Sequence, residues 1–190
     1  MMWWAVSGLL GALGWTLTEY LMHRFDGHGM KGKTRFSRGH LDHHADPKTF
    51  APTVLKLQIA ILVWVPMAGL GLWLLGVVGL CFTVGFATMY TFYEWLHRRL
   101  HTHPPRGAWG RWARRHHFHH HFNAPALNQG VTSDLWDRVF GTLAPVERVR
   151  MPRRHAPIWM VRPEDGELRA VYVDEYILAG RPQRREAVSA

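Results

Sequence analysis

The chain alternates between long apolar blocks and polar, basic blocks. Residues 1–22 carry one charged side chain, Glu19, and residues 57–93 form a run of 37 residues with none. A helix needs about 20 apolar residues to cross the hydrocarbon core of a bilayer, so the first block has the length of one span and the second that of two. We therefore predict an all-α integral membrane protein with about three transmembrane helices, one followed by a helical hairpin.

Glycines indicate where these helices turn or pack closely. Gly8, Gly11 and Gly14 recur every three residues, a small-residue stripe suited to close packing against another helix. We expect the hairpin turn at one of the glycines of the second block, which are Gly69, Gly71, Gly76 and Gly79. The alternative for residues 1–22 is a half-buried helix in the membrane interface. A cleaved signal peptide is not expected, because the block has no basic start and no small-residue cleavage site.

The basic residues are confined to the polar blocks. The formal net charge is +9, and seven Lys and Arg residues lie in residues 24–56, none in 57–97 and sixteen in 98–185. This alternation is typical of the cytoplasmic segments of a membrane protein, so we expect a cytosolic cap. It argues against nucleic acid as a partner, since a nucleic-acid binder usually interleaves basic and aromatic residues on a soluble surface. The single cysteine, Cys81, excludes an intrachain disulfide and a cysteine-based zinc site.

The polar blocks are rich in histidine, with 14 in the chain. Many are three or four residues apart, which places their rings on one face of a helix. The candidate metal ligands are His23, His28, His40, His43, His44, His97, His101, His117, His120 and His121. Buried imidazoles need partners, and a metal ion is the partner that serves many of them at once. Four or five nitrogens satisfy one first-row transition metal, so ten ligands predict two ions.

Turn-forming residues predict how the ligand segments fold. Residues 26–29, Asp-Gly-His-Gly, have the composition of a turn that would leave the helix of His23 and bring His28 back toward it. Residues 40–44 fit a helical turn that ends at Pro47. We expect residues 110–122 to form a basic, aromatic helix at the membrane interface, with its arginines extended toward lipid headgroups.

Carboxylates near the histidines are candidates to orient the ligands. A ligating histidine usually donates its other ring N–H to an acceptor, often a carboxylate. Glu19 lies four residues before His23, and Glu94 lies three residues before His97. We expect both to act as such acceptors; the alternative is that they are ordinary carboxylates at helix ends. Asp42 and Asp137 are weaker candidates for the same role.

The composition changes after residue 142. Residues 158–162 and 168–173 are separated by Pro-Glu-Asp-Gly at 163–166, which predicts a β-hairpin. Nothing in this segment suggests chemistry. We therefore divide the chain into a membrane domain with the dimetal histidine cage, residues 1–142, and a soluble C-terminal extension, residues 143–190.

The number and position of the histidines favour one kind of metal site over others. A structural zinc ion needs only four ligands, and a transporter would place polar residues near the midplane of its spans, where residues 57–93 offer almost none. A pair of iron ions at the bilayer surface is suited to activating dioxygen above an acyl chain.

The order of the histidines resembles that of the fatty acid hydroxylase and sterol desaturase superfamily. The pattern is His23-x4-His28, His40-x2-His43-His44, His97-x3-His101 and His117-x2-His120-His121, then Gly130-Val-Thr-Ser133, Leu135-Trp-Asp137 and Phe140-Gly-Thr142. The spacing is most similar to that of fatty acid 2-hydroxylases that act on sphingolipid acyl chains, and the resemblance covers roughly residues 17–142. It implies a multispan membrane enzyme whose histidines bind two metal ions and which uses dioxygen and external electrons.

The last histidine box fits two registers. His116, His119 and His120 also have the required spacing, but the distance from His121 to Gly130 matches the family in the register chosen above. His116 and His119 are then expected to support the ligands, and His103 and His155 to be non-ligands. The fused cytochrome b5 domain of some relatives has no counterpart, so we expect electrons from a separate cytochrome b5-like or ferredoxin-like partner.

We predict a non-haem di-iron oxygenase that hydroxylates a lipid acyl chain, with zinc as an ion that purification can introduce. One alternative is a sterol or carotenoid hydroxylase or desaturase with the same dimetal site. Another is a membrane protein that binds metal without catalysis.

Overall fold

The computed structural model describes residues 1–180, which form a mainly helical protein. The α-helices are α1 Met2–Leu21, α2 Arg35–Ala45, α3 Thr53–Leu75, α4 Val77–Thr102, α5 Gly107–Phe122 and α6 Leu135–Val139. A π-helical segment, Met22–His28, continues α1, and two strands, β1 Val149–Pro152 and β2 Tyr176–Ala179, lie near the end of the chain. Single 3-10 turns occur at Arg153–His155 and Ala170–Tyr172.

Helices α3 and α4 form the predicted hairpin. They are joined at Gly76, whose φ of +62° is a left-handed conformation that favours glycine. The glycines at 71 and 79 bring the two backbones together, since a Cβ at Gly79 would overlap the carbonyl of Gly71. Both helices are long and apolar enough to cross a membrane. Ala60 is the one buried residue of α3, so its apolar surface is left facing outward, as expected of a helix in lipid.

Helix α1 packs along α4, as the N-terminal glycine stripe predicts. Gly11 lies against the backbone of Phe82, and Gly85 on α4 lies against the carbonyl of Gly8. The Ser7 hydroxyl adds a hydrogen bond to the carbonyl oxygen of Val78, 2.7 Å away. Close packing of this kind is the usual way in which apolar helices associate in a bilayer. The helical state of residues 2–21 is confirmed, whereas a third span remains a prediction.

The C-terminal segment differs from the predicted hairpin. Only one antiparallel bridge, between Val161 and Leu168, forms between the two predicted strands within the described residues. The sheet instead pairs β1 with β2 in parallel, with Val149 opposite Tyr176. The segment between the strands folds over α5 and buries Phe118 among apolar residues of the tail. Burial against α5 therefore outweighs the local preference for a hairpin; residues 181–190 of the predicted extension lie outside the described residues.

One arginine of helix α5, Arg114, departs from the expectation that the arginines of this helix reach toward lipid headgroups, whereas Arg111 is exposed. Arg114 is 2 % exposed, and its guanidinium donates hydrogen bonds to the carbonyl oxygens of Leu100, at 2.8 Å, Arg99 and His103. These carbonyls belong to the last turn of α4, where no further helical N–H groups are available. Arg114 thus joins the end of α4 to α5 and stays inside the protein.

The glycine contact predicts a strong effect of a side chain at position 85. Gly85→Val places atoms where the Gly8 carbonyl lies, so α1 and α4 must separate, at a cost on the order of 1–3 kcal/mol. We expect a lower Tm of the purified protein in detergent. Gly69→Ala is the matched control, because no atom lies within 4 Å of a Cβ built at that position. Equal Tm values for the two variants would contradict the α1–α4 packing.

Candidate metal centre

The ten histidines singled out above converge into two groups of five. The first histidine group is His23, His28, His40, His44 and His120, and the second histidine group is His43, His97, His101, His117 and His121. Within each group the ring nitrogens that face one another all lie within 4.8 Å. The groups adjoin, since the rings of His44 and His121 stack with centroids 4.0 Å apart.

Helical spacing decides which histidine enters which group. On α2, His40 and His44 are four residues apart and share a face that belongs to the first group, while His43 on the neighbouring face belongs to the second. On α5 the same division places His120 in the first group and the pair four residues apart, His117 and His121, in the second. A His-x-x-His-His box therefore supplies ligands to both groups at once.

The approach of His28 to His23 differs from the prediction. The chain does not turn back but remains helical through His28, with π-helical bonds such as Gly29 N to Arg24 O at 3.1 Å. A π-helix closes its hydrogen bonds five residues apart, so residues 23 and 28 lie almost one above the other, which an α-helix would not allow. Glycine at position 27 leaves room for the His40 ring. A Cβ at this position would lie only 3.0 Å from Cδ2 of that ring.

The spacing of the facing nitrogens fits one ion in each group. Nε2 of His40 lies 2.9 Å from Nε2 of His28 and 3.1 Å from Nε2 of His23. In the second group Nε2 of His101 lies 2.8 Å from Nε2 of His117. Two nitrogens about 2.1 Å from a common metal, at right angles to each other, lie about 3.0 Å apart. These nitrogens are therefore close enough together to bind one ion in each group.

Hydrogen bonds at the other ring nitrogen identify which nitrogen carries the proton. Nδ1 of His23 contacts the carbonyl oxygen of Gln129, Nδ1 of His43 that of Thr49 at 2.8 Å, and Nδ1 of His120 that of Leu127 at 2.9 Å. A carbonyl only accepts, so Nδ1 is the donor and Nε2 of the neutral ring presents a lone pair. Lone pairs that converge at 3 Å repel one another unless a cation lies between them.

The second histidine group contains buried nitrogens with no protein partner. Both ring nitrogens of His121 and Nδ1 of His117 lack a hydrogen bond among the described residues. A buried unpaired polar group is costly, and a coordinated ion would satisfy Nε2 of His121 directly. The donor set and these unpaired atoms together fit transition-metal binding.

Burial keeps these rings neutral, as ligands must be. It lowers the pKa of His23 to about 3 and that of His43 to about 4. The pKa of His117, His120 and His121 is held well below the ordinary value, again chiefly by burial, with neighbouring histidines adding to the effect. At neutral pH all five therefore keep the lone pair that a metal needs.

A loop between α5 and α6 provides the carbonyls that orient His23 and His120. Asp137 is fully buried and accepts hydrogen bonds from the backbone N–H of Gln129 at 2.7 Å and of Gly130 at 2.9 Å. Glu19 accepts from the backbone N–H of Val131 at 2.6 Å and from the Thr132 hydroxyl at 2.8 Å. Two buried carboxylates thus hold the loop whose carbonyls hold the ligands.

The carboxylates therefore act differently from the expectation that they receive histidine N–H groups directly. Glu19 reaches His23 only through the loop. Glu94 pairs instead with Lys56 on α3, and Asp42 is exposed on α2. Among the described residues none of these three accepts a bond from a ligand ring, because the backbone carbonyls are nearer.

The remaining histidines lie beside the two groups. His116 is buried with its Nε2 3.3 Å from Asp137 Oδ2, and His119 is half-buried next to Asn128. His103 is exposed at the end of α4, and His155 stacks on Phe122 in the tail. Of the five histidines between residues 116 and 121, His117, His120 and His121 lie in the two groups, and His116 and His119 lie outside them.

Comparison with known proteins identifies this histidine arrangement. The sequence profile of the fatty acid hydroxylase family matches residues 8–142, a range that contains all ten histidines. The chain belongs to the fatty acid hydroxylase family. The match ends where the C-terminal tail begins, so the tail lies outside the part that is shared with the family.

Individual relatives support this assignment. The chain is 32% identical over 140 residues to a dihydroceramide fatty acyl 2-hydroxylase of Arabidopsis thaliana, which covers 70% of this chain and 58% of that protein. It is also 32% identical over 152 residues to a mouse (Mus musculus) fatty acid 2-hydroxylase, covering 73% and 40%. The solved structure of full-length scs7p, in which only the hydroxylase domain is visible, superposes with a TM-score of 0.63 at 27% identity, covering 76% of this chain and 57% of that one. The chain thus spans about half the length of these relatives.

Because the histidines form two groups, we predict that removing ligands from one group releases one ion and leaves the other bound. His40→Ala with His44→Ala removes two ligands from the first group, and His117→Ala with His121→Ala removes two from the second. We expect two transition-metal ions per wild-type chain and about one in each double variant, measured by plasma mass spectrometry. His103→Ala with His155→Ala should retain both. Loss of all metal in both double variants would contradict two separate sites.

The lowered pKa values predict the pH range of metal release. Protons compete with the metal only when the pH is near or below the pKa of the ligand histidines in the folded protein. The pKa is about 3 for His23 and about 4 for His43, so ions should remain bound at pH 6 and be released as the pH falls toward 4. A synthetic peptide of residues 107–122 should lose metal near pH 6.5, the ordinary histidine pKa. Release from the protein already complete at pH 6.5 would contradict the predicted burial.

Proposed function

We propose that this protein is a membrane-bound, non-haem di-iron oxygenase that hydroxylates a lipid acyl chain. The observation that carries the proposal is the pair of adjoining groups of five histidines, one for each ion. An all-nitrogen donor set favours iron, zinc, copper or nickel over magnesium or calcium, and among these iron activates dioxygen in many oxygenases. Zinc found after purification would be a substitute that follows from its higher affinity.

Bound iron would supply the chemistry of dioxygen activation and removal of hydrogen from an unactivated C–H bond. The overall reaction is R–H + O2 + 2 electrons + 2 protons → R–OH + H2O. We assign the two electrons to a separate reduced carrier of the cytochrome b5 or ferredoxin type.

The protein residues would keep the ligands in one orientation and exclude water. Backbone carbonyls of Thr49, Leu127 and Gln129 hold the tautomer of three ligands, so the rings need no rearrangement on binding. His117 and His120 are buried, whereas His97 is partly exposed and lies beside Phe50 and Tyr93. We propose that these aromatic rings border the route by which an acyl chain reaches the ions.

We propose the substrate class from the location of the histidines and from the activities of the relatives. His97 lies one turn beyond Glu94, the first charged residue after the apolar part of α4, so the histidines lie next to the end of a candidate span. An acyl chain within the bilayer ends near this level. The relatives named above are fatty acyl 2-hydroxylases, and we propose the same position, carbon 2 of an amide-linked acyl chain, for this protein.

We further propose that residues 1–142 form the catalytic domain, that residues 143–190 form an extension whose described part, residues 143–180, braces α5, and that the histidine groups face the cytoplasm. The family profile ends at residue 142, and basic residues cluster on the histidine side of the hairpin.

This orientation predicts a defined labelling pattern in a Cys81→Ala background. Gly76→Cys, at the hairpin turn, should react with a membrane-impermeant maleimide in intact cells. Lys33→Cys, in the polar block, should react only after permeabilisation. The reverse pattern would contradict the orientation.

The hydroxylase proposal predicts a lipid that gains one oxygen only when the groups are intact. Lipid extracts of cells that express the protein should contain a species heavier by the mass of one oxygen, and collisional fragmentation should place the hydroxyl on carbon 2. His120→Ala and His121→Ala should each abolish it, because each removes a ligand from a different group. His103→Ala, at an exposed position outside both groups, is the control and should retain the product.

A product lighter by two hydrogens would replace the hydroxylase with a desaturase. An unchanged lipid profile in cells that hold iron-loaded protein and a competent reductant would contradict an enzymatic function.

A further inference from the structure

A groove between the end of α4 and the start of α5 contains three arginines and two tryptophans. Its volume is about 110 Å³, and the residues that carry the argument are Trp95, Arg99, Arg106, Trp109 and Arg114. No acidic side chain lines it. Among residues 1–180 none of its three arginines takes part in an ion pair. The groove therefore holds positive charge that the protein leaves unbalanced.

One of the three arginines is buried and fixed by the protein itself. Arg114 is 2 % exposed, its Nε and Nη2 donate to carbonyl oxygens at the end of α4, and its guanidinium lies over the Trp159 ring at 4.4 Å. Arg99 and Arg106 are therefore the accessible cations of the groove. The α5 N-terminus lies beside them, begins at Gly107 without a side-chain cap, and so presents backbone N–H groups. Two accessible guanidinium groups together with these N–H groups favour an anion.

The aromatic residues place this groove at the membrane surface. Trp95 and Trp109 are 53 % and 49 % exposed. Phe92 joins them, with ring centroids 5.7 Å from Trp95 and 6.4 Å from Trp109. Exposed tryptophans next to the end of an apolar span are typical of the headgroup level of a bilayer. The Arg99 guanidinium lies over the Trp95 ring at 5.1 Å, as in a charge held at that interface.

The groove is separate from the histidine groups. On an α-helix, His97 and His101 lie on nearly the opposite side of α4 from Trp95 and Arg99, since each residue advances by about 100°. A molecule held in the groove therefore does not contact the histidine nitrogens.

We propose that this groove binds the phosphate of an anionic phospholipid headgroup, whose acyl chains run along the exposed apolar face of α4. The lipid would anchor the joint between α4 and α5 and would not be the molecule that is hydroxylated. A lipid is the source of the phosphate because exposed apolar and aromatic residues of α4, including Phe92 and Trp95, border the groove on the membrane side.

Lipid titration of the purified full chain, monitored by native mass spectrometry in a neutral detergent, tests the proposal. We expect one dioleoylphosphatidylglycerol bound per chain, with dioleoylphosphatidylcholine much weaker. Arg99→Gln combined with Arg106→Gln should weaken phosphatidylglycerol binding about 30-fold, since each arginine near an anionic headgroup contributes about a factor of five. Arg35→Gln combined with Arg150→Gln removes the same charge from exposed positions outside the groove and should bind as the wild type does.

Arg106→Glu provides a second variant at an exposed position, whose side chain makes no hydrogen bond or ion pair among residues 1–180. It should weaken phosphatidylglycerol binding while leaving Tm in detergent alone unchanged. Equal binding of the two lipids, wild-type binding by the Arg99 and Arg106 variants, or equal loss in the control pair would overturn the proposal. Displacement of phosphatidylglycerol by millimolar inorganic phosphate would assign the groove to a free anion and overturn the lipid assignment.

Discussion

The candidate metal centre depends on the convergence of ten imidazole rings into two groups, with their nitrogens facing one another. Three of the rings donate Nδ1–H to backbone carbonyls, which leaves their Nε2 atoms as lone-pair donors that face other histidines about 3 Å away. Protonation would be an alternative source of positive charge, but burial lowers the pKa of these rings. A metal ion in each group would satisfy the converging nitrogens together, so we expect bound ions to stabilise this arrangement.

The rest of the fold holds these rings in place. The glycine contacts between α1 and α4 fix the helix ends that carry His23 and His97. Buried Glu19 and Asp137 fix the loop that carries the carbonyls of Leu127 and Gln129. Because these carboxylates bond to backbone N–H groups, they position the ligands indirectly and add no ligand atoms of their own. The oxygenase chemistry proposed here relies on this rigid, water-poor environment, which keeps ligand orientation constant through a reaction.

Much of the fold and of the candidate site is predictable from the sequence, because both follow from short-range periodicity. The 37-residue uncharged run predicts the α3–α4 hairpin, and spacings of three and four predict that the histidines of each box are neighbours on one helix. The expectation that the rings of one box share a common point is wrong, because the boxes of α2 and α5 each divide their rings between the two groups. The carbonyls of Thr49, Leu127 and Gln129 are not predictable in this way, since every residue has a carbonyl and none is marked by its side chain. The π-helical path to His28 escapes prediction because Asp-Gly-His-Gly also has the composition of a turn. The pairing of β1 with β2 is not predictable from local sequence, because 26 residues separate Val149 from its partner Tyr176. Packing of the tail on α5 determines this pairing.

X-ray absorption spectroscopy of the iron-loaded protein, combined with the count of ions per chain, would show whether the two histidine groups each bind an ion. We predict two ions per chain, each with a first shell of about five imidazole nitrogens near 2.1 Å. The multiple-scattering signal of the rings should be strong, and the protein should contribute no carboxylate or sulfur ligand. One ion per chain, or a first shell that contains Glu19 or Asp137 oxygens in place of histidine nitrogens, would contradict it.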